Sequence, residues 1–137
     1  MEAEFAPATF YRTPLGRGAT RRRFIFEEAL TAIEDGYHDD GLTVANLARR
    51  IFTSTRQLQR AFTEAGTSFQ ACLLAVRMER AAELLLETSL PVARVAALVG
   101  YRQPSQFAKA FRRYQGQAPS AFRSSGPDAG RDLAHAA

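Results

Sequence analysis

The sequence predicts an all-α fold of about seven helices, organised as two small helical subdomains joined by a long central helix. Three observations predict it. Apolar residues recur at three- and four-residue spacing along most of the chain, and no stretch alternates with the period of two that a half-buried strand shows. Glycines and prolines fall at the ends of these periodic segments and cut them into units. One pattern, a short apolar helix followed by a longer one, occurs twice.

Residues 1–23 hold Pro7, Pro14, Gly16 and Gly18 without sustained periodicity and read as an N-terminal arm or linker. The first subdomain is expected over 24–66. Phe26, Ala29, Leu30, Ile33 and Tyr37 set a helix over about 24–36, stopped by Gly36. Thr43 precedes Val44, Leu47, Ala48 and Ile51 and suits an N-cap. Ser54 caps the next helix, about 55–65, which buries Leu58, Ala61 and Phe62 and ends at Gly66. The connecting helix, within 67–88, buries Phe69, Leu73, Val76, Ala81, Leu84 and Leu85, and at 1.5 Å per residue spans roughly 30 Å. The second subdomain is expected over 89–123. Pro91 suits the first turn of a short helix with Val92, Val95, Ala96 and Val99 inward, broken by Gly100. Pro104 opens a helix that buries Phe107, Ala110, Phe111 and Tyr114 and stops at Gly116. Pro119 starts a last short helix through Phe122, and 124–137 read as a flexible tail.

Composition removes several function classes. The 137 residues are one domain's length, and 46% hydrophobic content is enough for a core. No apolar run approaches the roughly 20 residues of a membrane helix, so no membrane partner is expected. The N-terminus lacks the basic-then-apolar order of a secretory signal, and a cytoplasmic location is the default. A single cysteine, Cys72, excludes a disulfide framework and a cysteine-rich zinc module; beside Leu73 it reads as a packing residue. His38, Asp39 and Asp40 are adjacent, but no second cluster stands at ligand spacing, so neither a metal nor another cofactor is expected. No Gly-rich phosphate loop and no nucleophile elbow occurs; no catalytic residue is assigned and an enzyme is not expected.

The formal charge of +4 understates how the signs separate. Arg49, Arg50, Arg56 and Arg60 lie in an acid-free window, 44–63. Arg94, Arg102, Lys109, Arg112, Arg113 and Arg123 lie in a second, 88–127. Acids collect at Glu27–Asp40 and at Glu79, Glu83 and Glu87. Two basic patches suggest a polyanionic partner, although an Arg-rich solvated surface would look the same on charge alone.

The repeat sharpens this. Val44-Ala45-x-Leu47-Ala48 matches Val92-Ala93-x-Val95-Ala96, Leu58-x-Arg60-x-Phe62 matches Phe107-x-Lys109-x-Phe111, and Gly66 matches Gly116. Each unit is a short helix, a tight turn and a longer helix, the outline of a helix-turn-helix. In the first unit the face opposite Leu58, Ala61 and Phe62 shows Arg56, Gln59, Arg60 and Thr63 at i, i+3, i+4 and i+7. In the second, Gln106, Lys109 and Arg113 form the corresponding stripe, with Gln103 and Ser105 near its N-terminal end. Arg and Lys donate to guanine O6 and N7, Gln pairs with adenine N6 and N7, and Ser and Thr bond bases or phosphate. A helical repeat used only for packing leaves these two donor stripes unexplained.

Ser54-Thr-Arg56-Gln-Leu58-Gln-Arg60-Ala-Phe62 followed by Gly66 resembles the first helix-turn-helix of the AraC/XylS family of bacterial transcription regulators. Arg77-x-x-x-Ala81-x-x-Leu84-Leu85 resembles that family's connecting helix. Gly100-Tyr101-x-x-x-Ser105-x-Phe107-x-Lys109-x-Phe111, then Gly116-x-x-Pro119-Ser120-x-x-Arg123, is similar to its second motif. The resemblance covers about 24–123. It implies sequence-specific binding to double-stranded promoter or operator DNA in the cytoplasm, at the bacterial nucleoid, with both recognition helices aimed at successive major-groove segments. It implies base contacts from Arg56, Gln59 and Arg60 in the first unit and from Ser105, Gln106 and Lys109 in the second. Pro104 falls at another of its contact positions but brings no donor, and Lys109 stands where the family has Arg, without the bidentate fork. Thr43, Thr63, Arg102, Gln103, Arg112 and Arg113 are expected on phosphate, and Arg77 between the subdomains. RNA polymerase is an expected partner, and a monomer on an asymmetric site is the expected state. Too few residues precede 24 for a sensor domain. That leaves a DNA-binding-only regulator or the C-terminal piece of a longer effector-sensing one. The rival class is a protein-interaction module acting through RNA polymerase or another partner.

Overall fold

The structure, a computed structural model, describes residues 17–126; the rest of the expected arm and tail lies outside the described residues. Seven helices and no strand are found among them: α1 (Arg17–Gly36), α2 (Val44–Arg50), α3 (Thr55–Glu64), α4 (Phe69–Glu87), α5 (Val92–Leu98), α6 (Pro104–Gln115) and α7 (Pro119–Ser125). Local chemistry explains most boundaries. Thr43 Oγ1 accepts from the Asn46 N–H at 3.2 Å while Asn46 Oδ1 accepts from the Thr43 N–H at 3.0 Å, a reciprocal cap on α2. Ser54 Oγ accepts from the Gln57 N–H at 3.0 Å, and Ser68 Oγ from the Ala71 N–H at 3.0 Å. Pro104 and Pro119 stand at the starts of α6 and α7, where a missing N–H costs nothing. Pro91 lies one residue earlier than expected, at the N-cap of α5.

Two cores form, one per unit. Ile25, Ala29, Ile33, Leu42, Leu47, Ala48, Leu58, Ala61, Phe62, Phe69 and Leu73 make the first. Met78, Ala81, Leu85, Val95, Ala96, Val99, Phe107, Phe111 and Phe122 make the second. Helix α4 serves both. At 3.6 residues per turn, Phe69 and Leu73 point about 130° away from Met78, Ala81 and Leu85 around its axis. The buried stripe therefore changes side midway, which is why Met78 is fully buried while Val76 and Leu84 are only half-buried.

Three further expectations are corrected. Helix α1 begins at Arg17, not near residue 24. A lone helical glycine such as Gly18 costs only about 1 kcal/mol, and Arg22 ties this extra turn to Glu64 at the end of α3. Ile25 rather than Phe26 enters the core; Phe26 packs edge-on against Phe62, ring centroids 5.6 Å apart. Tyr114 is exposed at the end of α6, where its hydroxyl donates to Glu79 Oε2 at 3.1 Å.

The turns of the two units share one backbone frame. Phe52 N–H donates to Arg49 O at 3.2 Å and Thr53 N–H to Ala48 O at 2.9 Å. Gly100 N–H donates to Ala97 O at 3.1 Å and Tyr101 N–H to Ala96 O at 2.9 Å. Both turn residues are left-handed, Gly100 at φ 97° and Phe52 at φ 58°. For a residue with a side chain this conformation costs about 1–2 kcal/mol.

Candidate nucleic-acid interface

Burial of Leu58, Ala61 and Phe62 leaves Arg56, Gln59, Arg60 and Thr63 exposed on one face of α3, as the spacing requires. With Glu64 these residues line one shallow groove. Glu64 is the only carboxylate on α3, and Arg22 pairs with it. The sequence pattern assigns Arg22 to the N-terminal arm and so leaves it out of this site. The signal was present: Arg22 lies at helical spacing before Ile25 and Ala29. Thr63 sits in the groove, but its hydroxyl donates to Gln59 O at 2.9 Å, so it meets a phosphate only by giving up that bond.

Helix α6 repeats the arrangement. Phe107 and Phe111 are buried, and Ser105, Gln106 and Lys109 are exposed. Gln103, also exposed, precedes the helix without capping it. Arg112 and Arg113 are exposed in its last turn, where they also complement the helix's negative end. Thr43 is exposed at the start of α2; its oxygen accepts from Asn46, which leaves the hydroxyl proton for an outside acceptor.

The loop after α1 clasps the two units together. Arg77, on α4 between the two core stripes, donates from Nε to Tyr37 O and from a terminal nitrogen to Asp39 O, each at 2.9 Å. Its guanidinium lies 5.5 Å from the centre of the Tyr101 ring. Burial lowers its pKa, and Tyr101 and Asp39 oppose that, so it stays charged. The bridging role expected for Arg77 is thus observed. Tyr37 itself packs against both cores. Beside the clasp, Arg102 Nε donates to Asp40 Oδ2 at 2.9 Å. That hydrogen bond holds the Asp40 pKa below its ordinary value and raises that of Arg102. Arg102, expected on phosphate, stands instead in an ion pair, yet its side chain is 73% exposed and within a rotamer change of solvent.

A family model described as a helix-turn-helix domain matches residues 47–125. The chain belongs to this family, the AraC-type helix-turn-helix domains. It is 40% identical over 76 residues to the ornithine utilization regulator of Pseudomonas aeruginosa, covering 56% of this chain and 22% of that one. It is 35% identical over 91 residues to the transcriptional activator NphR of a Rhodococcus species, covering 66% and 27%. The chain thus spans about a quarter of the length of these relatives. Among solved structures it is similar to the C-terminal domain of AraT, a response regulator from Geobacillus stearothermophilus, with a TM-score of 0.67 and 32% identity over 82% of this chain and 88% of that one. It is similar also to the DNA-binding domain of the global transcriptional factor AdpA in complex with a target DNA, with a TM-score of 0.67 and 29% identity over 73% and 90%.

Proposed function

We propose that the chain is a sequence-specific, double-stranded DNA-binding transcription regulator that reads two successive major-groove segments with α3 and α6. The observation that carries this is the pair of exposed donor stripes on equivalent helices of two equivalent turns, with Arg22 neutralising the one carboxylate at the edge of the first. Arg56, Gln59 and Arg60 read bases from the first unit, and Ser105, Gln106 and Lys109 from the second. Thr43, Arg112 and Arg113 hold phosphate, joined by Gln103, by Thr63 after a hydroxyl rotation and by Arg102 after release from Asp40. A guanidinium offers a planar two-donor fork and an ammonium does not, so the first unit discriminates more sharply. The chain works in the bacterial cytoplasm as a monomer on an asymmetric site, with RNA polymerase as the downstream partner.

The test is selection from a random double-stranded DNA pool by the purified chain. The expected result is a non-palindromic motif of two short blocks about ten base pairs apart. Six to ten phosphate contacts give a log–log salt slope of roughly −5 to −9. Enrichment of a single block would reduce α6 to a phosphate holder. No enrichment by a folded chain would overturn the reading in favour of a protein-binding module.

A further inference from the structure

We propose that Phe52 is a DNA contact of the first unit, an apolar side chain that packs on thymine methyl or deoxyribose surface where the N-terminal end of α3 meets the groove. This rests on the DNA reading above and adds to it a residue with no hydrogen-bonding chemistry. Phe52 is 93% exposed, far beyond the other exposed large hydrophobics among the described residues, of which Phe24 at 62% comes next. Its ring therefore contributes almost nothing to either core. It also holds the left-handed backbone that the sister turn gives to Gly100, within the same hydrogen-bond frame. A glycine at 52 would relieve the backbone and remove exposed apolar surface, so the folded chain gains nothing from this phenylalanine. A strained, solvent-facing aromatic points to something outside the fold.

Its neighbours select the occupant. Phe52 lies between Arg49, exposed in the last turn of α2, and Arg56, exposed in the first turn of α3; Arg50 beside it is paired with Asp39 Oδ2 at 3.2 Å, and the twenty residues 44–63 themselves hold no acid. That surface is complementary to a polyanion. Three residues beyond Phe52 the chain enters α3 at Thr55, the end from which a recognition helix presents its first residues to base edges. An aromatic ring there meets sugars and the thymine C5-methyl, the one apolar feature of the major-groove edge.

The experiment measures binding of the wild type, Phe52→Gly, Phe52→Asn and Arg60→Ala to the duplex enriched by selection, in ordinary form and with single thymines replaced by deoxyuridine. Both Phe52 variants suit a left-handed turn and are expected to melt no lower than the wild type. Each is expected to bind roughly tenfold more weakly with an unchanged salt slope, because no charge is lost. A deoxyuridine that weakens the wild type and not the variants assigns the contact to a thymine methyl; loss in the variants with no sensitive thymine assigns it to sugar. Both support the proposal. Phe52 variants that bind like the wild type while Arg60→Ala binds weakly would overturn it and turn the ring toward a protein partner. Unchanged binding by all three variants would instead sink the underlying DNA reading of α3.

Discussion

The two helix-turn-helix units fold to the same backbone frame and secure it differently. In the first, the helix starts are closed by side chains a few residues away, Thr43 with Asn46 and Ser54 with Gln57. In the second, neither α5 nor α6 has a side-chain cap, and the turn leans on distant groups. A Cβ on Gly100 would lie 2.5 Å from Tyr37 O and 2.9 Å from the Arg77 guanidinium, so glycine is required by space as well as by φ. The first unit is held by local chemistry and the second by its neighbour. A repeat preserves the apolar pattern because each copy needs a core; it leaves the helix ends to whatever partner lies nearest. The exposed faces diverge likewise: Arg56 and Arg60 stand in the first two turns of α3, whereas the same part of α6 has Pro104 and one ammonium, Lys109, and its guanidinium groups, Arg112 and Arg113, wait in the last turn.

The sharpest way to break this comparison is Gly100→Ala. Strain and overlap with the clasp are expected to cost about 3 kcal/mol, whereas Gly66→Ala, at φ 80° in open space, costs about 1 kcal/mol. Thermal melts that found equal losses would refute the dependence of the second unit on the clasp. Arg77→Met comes next. It orphans the Tyr37 and Asp39 carbonyls, at a cost of about 2–3 kcal/mol, and amide exchange should show the second unit losing protection before the first. On DNA, Arg60→Ala is expected to cost about 1–3 kcal/mol and to relax base choice at one position. Lys109→Ala should cost under about 1 kcal/mol and relax base choice at its own position less than Arg60→Ala does. Competition binding against single-base variants separates the two, and equal relaxation by both would erase the functional asymmetry.

The smallest effect is expected from Asp40→Asn. The Asp40–Arg102 pair is exposed, so Tm should stay within about a degree. Affinity for DNA should rise about twofold at low salt, because Arg102 is released to phosphate beside one carboxylate fewer. The sign with pH follows from the depressed Asp40 pKa. The pair is intact above the unfolded value of about 3.9 and is lost only as pH falls through the lower, folded value. Binding between pH 6 and 8 should therefore show no step that Asp40→Asn removes.

The sequence by itself determined the seven helices, most of their ends, the buried positions of α3, α5 and α6, and the donor stripes. These depend on periodicity and capping, which act within one or two turns and are written in adjacent residues. It also pointed to Arg77 as a bridge, because a charge midway along an apolar helix needs partners near both cores. Only the tertiary structure decided the rest. The extension of α1 to Arg17 accompanies a pairing of Arg22 with Glu64, 42 residues away. The diversion of Arg102 to Asp40 spans 62 residues. The change of buried side along α4 exists because two cores flank one helix at different angles, and a single amphipathic period describes only one. The exposure of Phe52 depends on the turn leading away from both cores, which its apolar side chain alone would not suggest. Contacts between distant segments have no local signature; they follow from how the helices pack, and at this interface that packing sets which cations are paired and which face outward.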